Sequence, residues 1–183
     1  MNNKFVISAV VVAILLIFFL SFNTLQTASI NVESTWSQVE NQMQRRADLI
    51  PNLVNTVKGY SVHEKEVIQS VSLARAKLAS ASTPVQKDEA NSELNSSLSR
   101  LLAVVENYPN LKADTHFKQL MDELAGTENR IAVARKDYIK VVNDYNIKIK
   151  TFPGNLFASI FGFEPKEQFK IDDKAKQVPD VKF

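Results

Sequence analysis

The sequence predicts an all-α protein, an antiparallel bundle of long helices on a single N-terminal transmembrane helix. Three observations carry this. Residues 5–22 read FVISAVVVAILLIFFLSF, with no charge and only Ser8 and Ser21 polar. Beyond them, apolar residues recur at steps of three and four over long stretches. Only 4 Gly and 6 Pro stand among 183 residues, too few for a turn-rich β architecture.

The apolar run comes first. At ~1.5 Å rise per residue it spans about 27 Å, close to the hydrocarbon thickness of a bilayer. A cleaved signal peptide is the rival, but its apolar region is usually ~7–15 residues and ends at a small-x-small site. Gln26-Thr27-Ala28 lacks the small residue three positions back. Lipoprotein anchoring needs a cysteine, and the chain has none. The expected organisation is therefore an uncleaved anchor over 1–22, a helical-bundle domain over 23–163 and an extended or mobile tail over 164–183. Lys4 precedes the span, and no Lys or Arg follows it until Arg45. Positive charge stays inside, so the domain is expected outside the cytoplasm, with the cytoplasmic side as the alternative.

In the first soluble stretch, Val32, Trp36, Val39, Met43, Arg46, Ile50, Leu53, Val57 and Tyr60 form one coiled-coil-like stripe. Pro51 falls inside it and is expected to bend or loosen one turn. Gly59 stands where a helix stop would. Ser61 and Glu64 then read as a capping box opening a second helix, with Val67, Val71, Ala74, Leu78 and Ala81 as its face. Thr83, Pro84 and Gln86 form a second capping box, followed by Leu94, Leu98, Leu101, Val105 and Tyr108, and Pro109-Asn110 closes that helix. A fourth helix over 114–151 carries Phe117, Leu120, Leu124, Thr127, Ile131, Ala134, Tyr138, Val141 and Tyr145. Gly126 inside it costs about 1 kcal/mol against Ala and suggests a close crossing or a soft point.

Charge and chemistry narrow the function. Setting aside Lys4 leaves 21 basic against 20 acidic side chains, which argues against a nucleic-acid face. No catalytic set is expected, and no cofactor, metal or small-molecule substrate. Thiol chemistry is excluded by the lack of Cys, and His63-Glu64 lacks the second His of a zinc motif, since Val67 stands in its place. Arg46 is the odd member of its stripe. A desolvated guanidinium needs an acceptor, and Glu128 or Asp48 can supply one; the other account is a snorkelling head on a packed stem. The pattern favours a paired, structural Arg46.

After Phe152-Pro153-Gly154 comes an aromatic piece with Leu156, Phe157, Ile160, Phe161 and Phe163. It reads either as a cap on the bundle's open end or as a contact segment for lipid headgroups or a partner. Interfacial helices usually carry a basic face, and 152–163 has no Lys or Arg, which favours the cap.

Several motifs together resemble the LemA family over nearly the whole chain: Trp36 to Glu40, Gln44 to Val54, Thr56 to Tyr60, His63-Glu64, Ala74-Arg75, Glu128 to Arg135, Tyr145-Asn146, Phe152-Pro153 and Gly162-Phe163. RRADLIPNLV with VKGY is the most specific part, and 22–29 is a looser match. The resemblance implies a single-pass bacterial membrane protein with a helical-bundle domain and no established enzymatic activity. Some relatives are associated with building magnetosome membranes. Family descriptions often put the domain in the cytoplasm, opposite to the charge reading. The expected function is a non-catalytic membrane-anchored scaffold or assembly protein, a homo-oligomer working through helix faces. The alternative is an adaptor or regulator of another membrane protein, such as a membrane protease.

Overall fold

The computed structural model describes residues 3–60 and 64–169. Within them the order is α1 (Asn3–Tyr60), α2 (Lys65–Ser80), α3 (Pro84–Val105), α4 (Pro109–Ala113), α5 (Thr115–Lys150) and α6 (Gly154–Phe161), with no strand. The described residues divide into two units, 3–41 with 132–167 and 42–131 with 168–169; α1 and α5 contribute to both. The fold is an all-α antiparallel bundle.

Anchor and first soluble helix are one element, since α1 runs unbroken over 58 residues. Its apolar N-terminal segment is long enough to cross a membrane, and none of that segment is buried by the rest of the chain. Phe5, Phe19 and Leu20 each show more than 60% of their surface.

In the unit built on 42–131, α1 presents Met43, Arg46, Ile50, Leu53 and Val57 inward, all buried. Burying an aliphatic side chain of this size stabilises by ~1.5–3 kcal/mol each. Tyr60, at the end of the expected stripe, is exposed. Its hydroxyl donates to Asp114 at 2.9 Å. Arg46 meets Glu128 while Tyr60 meets Asp114, so α1 and α5 run antiparallel here. The short turn between α2 and α3 makes those two an antiparallel pair.

The Thr83 capping box is present: its hydroxyl accepts from the Gln86 amide at 3.2 Å, and the Gln86 side chain accepts from the Thr83 amide at 3.3 Å. The box expected at Ser61 to Glu64 differs. Ser61 and His63 lie outside the described residues, and Glu64 is itself the N-cap of α2, its carboxylate accepting from the Tyr108 hydroxyl at 3.2 Å. Ile68 rather than Val67 is buried at the start of α2. Pro109 opens the short α4 instead of ending α3, as the first helical position tolerates proline. Asp114 then caps α5 by accepting from the Phe117 amide at 2.8 Å. Gly126 marks no tight crossing: an added Cβ would meet only the mobile end of Arg130, at 3.4 Å.

Pro51 does not break α1. Proline has no amide hydrogen, so the carbonyl four residues back, on Ala47, loses its helical donor. Arg75 of α2 supplies the replacement, its Nε donating to the Ala47 oxygen at 3.0 Å. The proline thus opens a docking point on one helix for a side chain of the next. Arg75→Ala should destabilise the protein by about 1–2 kcal/mol, the usual cost of orphaning a half-buried acceptor. Adding Pro51→Ala should recover part of that loss, because the new amide can donate to Ala47. A double-mutant cycle by urea unfolding in detergent checks this; strictly additive effects would show that the two residues do not share the carbonyl.

Candidate functional site

Two constellations stand out, one in each unit. The first is a polar cluster in the unit built on 42–131. Arg46 is only 5% exposed, at a position flanked by Met43 and Ile50. Its Nη1 donates to Glu128 in a charge-paired hydrogen bond and to the Asn91 Oδ1 at 3.1 Å. The other Glu128 oxygen accepts from the Asn95 amide at 3.2 Å. Three helices therefore meet through one guanidinium and one carboxylate: α1 through Arg46, α3 through Asn91 and Asn95, and α5 through Glu128. Burial pushes the Arg46 pKa down, and the Glu128 charge works against that shift. A guanidinium starts high enough to stay charged regardless.

Asp48 takes no part. It lies two residues beyond Arg46, about 200° around the helix, so it cannot face the same partner. It is exposed and accepts from Gln44 at 2.8 Å. Asn91 and Asn95 escaped the sequence reading, although Asn91 stands three residues before Leu94 on the buried face of α3.

The second constellation lies in the unit formed by 3–41 and 132–167. Here α5 buries Ala134, Tyr138, Val142, Tyr145 and Ile149, with Val142 taking the place expected of Val141. The Trp36 and Tyr138 rings sit 5.3 Å apart. After α5 the chain turns sharply. Gly154 is required there, since a Cβ would fall 2.0 Å from the Lys148 carbonyl oxygen. Then α6 runs to Phe161, and Gly162 ends it in the left-handed region at φ 74°. The Phe163 amide closes the cap on the Ala158 carbonyl at 2.9 Å.

From Glu164 the chain returns along α5 in extended form, tied by three side chains. The Tyr145 hydroxyl donates to the Glu164 carbonyl at 2.9 Å, and the Tyr138 hydroxyl to the Glu167 carbonyl at 3.1 Å. Asn146 pairs with both backbone groups of Lys166: its Nδ2 donates to the carbonyl at 2.9 Å and its Oδ1 accepts from the amide at 3.0 Å. Lys166 also reaches Glu33 of α1 at 3.7 Å. Of the expected tail, 164–167 is thus fastened, and 170–183 lies outside the described residues. Tyr138 and Tyr145 read from sequence as stripe members; their hydroxyls serve as clasps.

The expected contact segment sits on α6 and just after it. Phe157 and Phe161 pack edge-on against Phe18 at 5.8 and 4.7 Å between ring centres. Phe161 also meets Phe22 at 4.9 Å, and Phe163 lies 6.2 Å from Phe22. Leu156 and Ile160 remain exposed, at 54% and 63%. The aromatic face of α6 therefore packs on the end of the apolar segment of α1.

Arg46→Ala should cost about 2–3 kcal/mol, below the ~3–5 of a fully buried pair because the Glu128 side chain is 38% exposed. Arg45→Ala, on the exposed side, should cost near zero. Equal unfolding midpoints would place the Arg46 head in water. For the clasp, burial and the nearby Glu167 and Glu164 charges push the Tyr138 and Tyr145 hydroxyls above the ordinary tyrosine pKa. A raised folded-state value means their contribution is complete below the ordinary pKa near 10 and is lost as pH rises through the higher folded value. An ultraviolet titration should show three of the 4 tyrosines ionising late, since the hydrogen bond to Asp114 also raises Tyr60, and Tyr138→Phe with Tyr145→Phe should leave Tyr60 alone in that late phase. A titration in which only Tyr60 ionises late would show the clasp open.

The LemA family model matches residues 35–183, a stretch that takes in the Arg46 cluster and the clasp from Tyr138 to Glu167 but not Phe18, Phe22 or Glu33. Among curated relatives, the magnetosome proteins MamQ 1 and MamQ 2 of Paramagnetospirillum magneticum are 30% identical over 186 aligned positions, covering 87% of this chain and 68% of theirs. Magnetosome protein MamQ of Magnetospirillum gryphiswaldense is 25% identical, covering 86% and 68%. Protein LemA of Metamycoplasma hominis is 26% identical over 140 positions, covering 74% of this chain and 63% of its own. Motifs that pin Pro51, fix Arg46 and Glu128 and clasp Lys166 thus fall within a match to most of the chain, which belongs to the LemA family.

Proposed function

We propose that this protein is a membrane-anchored scaffold that acts through its helix faces and carries out no chemistry of its own. The observation that carries the reading is α1: one unbroken helix whose first part exposes an uncharged, almost wholly apolar surface and whose later part belongs to a helical bundle. Such a surface is satisfied in hydrocarbon, where a helix also meets its own backbone hydrogen bonds. The buried charge is committed to packing, since Arg46 holds three helices together through Glu128 and Asn91. The magnetosome names of the MamQ relatives support a part in building a membrane-bound assembly.

Self-association is the favoured mode of action. Val133 and Ile147 lie four turns apart on one side of α5, and both are about 60% exposed. A pair of aliphatic residues held at that spacing on a rigid helix suits a second copy of the same face. Lys4 before the span and the lack of basic residues between it and Arg45 support a domain outside the cytoplasm.

The chain has no cysteine, so single substitutions report cleanly. Val133→Cys and Ile147→Cys should each give a disulfide-linked dimer in membranes of oxidised cells, with Leu73→Cys on α2 as the exposed control on a different helix. Crosslinks only to a different membrane protein would replace the scaffold with an adaptor. An exported-form reporter fused to the C-terminus should be active, and a reporter active only in the cytoplasmic form would reverse the topology.

A further inference from the structure

We propose that α6 is a second membrane contact, an interfacial helix whose Leu156 and Ile160 lie in the hydrocarbon edge of the bilayer beside the α1 span. The proposal rests on the reading of α1 as a membrane span and extends it to a segment far away in sequence. Its basis is depth. Phe18 and Phe22 belong to the last turns of the apolar run, and the rings of Phe157 and Phe161 pack directly on them. Whatever depth Phe18 occupies, α6 shares.

The side chains of α6 divide as an interfacial helix requires. At about 100° per residue, Phe157, Ala158 and Phe161 form one face, and Ala158 is buried while the two rings meet α1. Leu156 and Ile160 form a second face, exposed and purely apolar. Asn155 and Ser159 form a third, exposed and polar, about 100° from the second. Such a helix can turn its aliphatic face to lipid and its amide and hydroxyl face to water. Phe152, in the turn before α6, is 79% exposed and adds another apolar ring to this surface.

An open apolar groove of about 610 Å³ lies between Phe161 and the face of α1 from Val12 to Phe22, and it suits an acyl chain. The absence of Lys and Arg from 152–163 decides between two lipid chemistries. Without a basic face, α6 has no attraction for anionic headgroups, so hydrocarbon is the occupant. Eight residues bury too little to hold a membrane alone, but α6 is already tethered there by α1. The Gly154 turn and the Gly162 cap fix its entry and exit, and the clasp on 164–167 holds the chain beyond it.

The test uses the full-length chain in phosphatidylcholine vesicles, with single cysteines labelled by an environment-sensitive fluorophore and quenched by brominated acyl chains. Labels replace Leu15 in the span, Leu156 and Ile160 on the lipid face, Asn155 on the polar face and Leu73 on α2. Quenching at Leu156→Cys and Ile160→Cys should approach that at Leu15→Cys, while Asn155→Cys and Leu73→Cys should stay unquenched. Circular dichroism of each variant confirms that these surface changes leave the helices formed. No quenching at Leu15→Cys would overturn the span itself. Quenching at Leu15→Cys with α6 labels behaving like Leu73→Cys would overturn α6 alone. Equal quenching at Asn155→Cys and Leu156→Cys would overturn the interfacial orientation. A need for phosphatidylglycerol before any α6 label is quenched would make the headgroup, not hydrocarbon, the occupant.

Discussion

The backbone hydrogen-bond ladder of α1 is the constraint on which the other elements depend. In hydrocarbon no water can satisfy an amide or carbonyl, so a spanning segment must close its own bonds. Residues 5–22 meet this by being helical throughout, and the helix continues without interruption to Tyr60. The one position where the ladder must fail is Pro51, which leaves the Ala47 carbonyl without its usual donor. Arg75 takes that place from a neighbouring helix. A local defect in one helix thereby becomes a specific attachment point for another, which apolar packing alone does not provide.

The same logic governs the buried charge. A guanidinium among apolar neighbours is costly unless its donors are occupied, and the attraction of a partner does little more than offset the desolvation. The cluster of Arg46, Asn91, Asn95 and Glu128 is better understood as a device that selects one register of α1, α3 and α5 than as a source of stability. A slip by one turn would leave the Arg46 charge buried without its carboxylate. In the other unit, Tyr138, Tyr145 and Asn146 satisfy the backbone of an extended segment that has no strand to pair with. Side chains stand in for a β-ladder and fasten the return chain to α5.

Much of this was legible in the sequence, for physical reasons. The apolar stripe of α1 is visible because a 3.6-residue period leaves an unmistakable pattern, and the Thr83 capping box because its chemistry is local. Errors arose where adjacent apolar residues compete for one inward position. Val141 and Val142 are chemically equal, as are Val67 and Ile68, so the period alone does not choose between them. Asp48 is close to Arg46 in sequence, but a two-residue step on a helix puts the two on opposite faces. The partners of Arg75 and Asn146 are backbone groups, and no spacing rule points to them. Likewise, the aromatic residues of α6 looked like a cap on the open end of the bundle, because only the fold brings them to Phe18 and Phe22.

The central claim is that one hydrogen-bonded helix runs from the membrane segment into the domain. Hydrogen–deuterium exchange of the full-length protein in lipid nanodiscs tests it most directly. Peptides covering 5–22 should be protected by lipid, and protection should persist through 23–40 and past Pro51 to the end of α1. Rapid exchange across 23–35 in an otherwise folded protein would contradict the account, because it would separate the anchor from the domain by a broken segment.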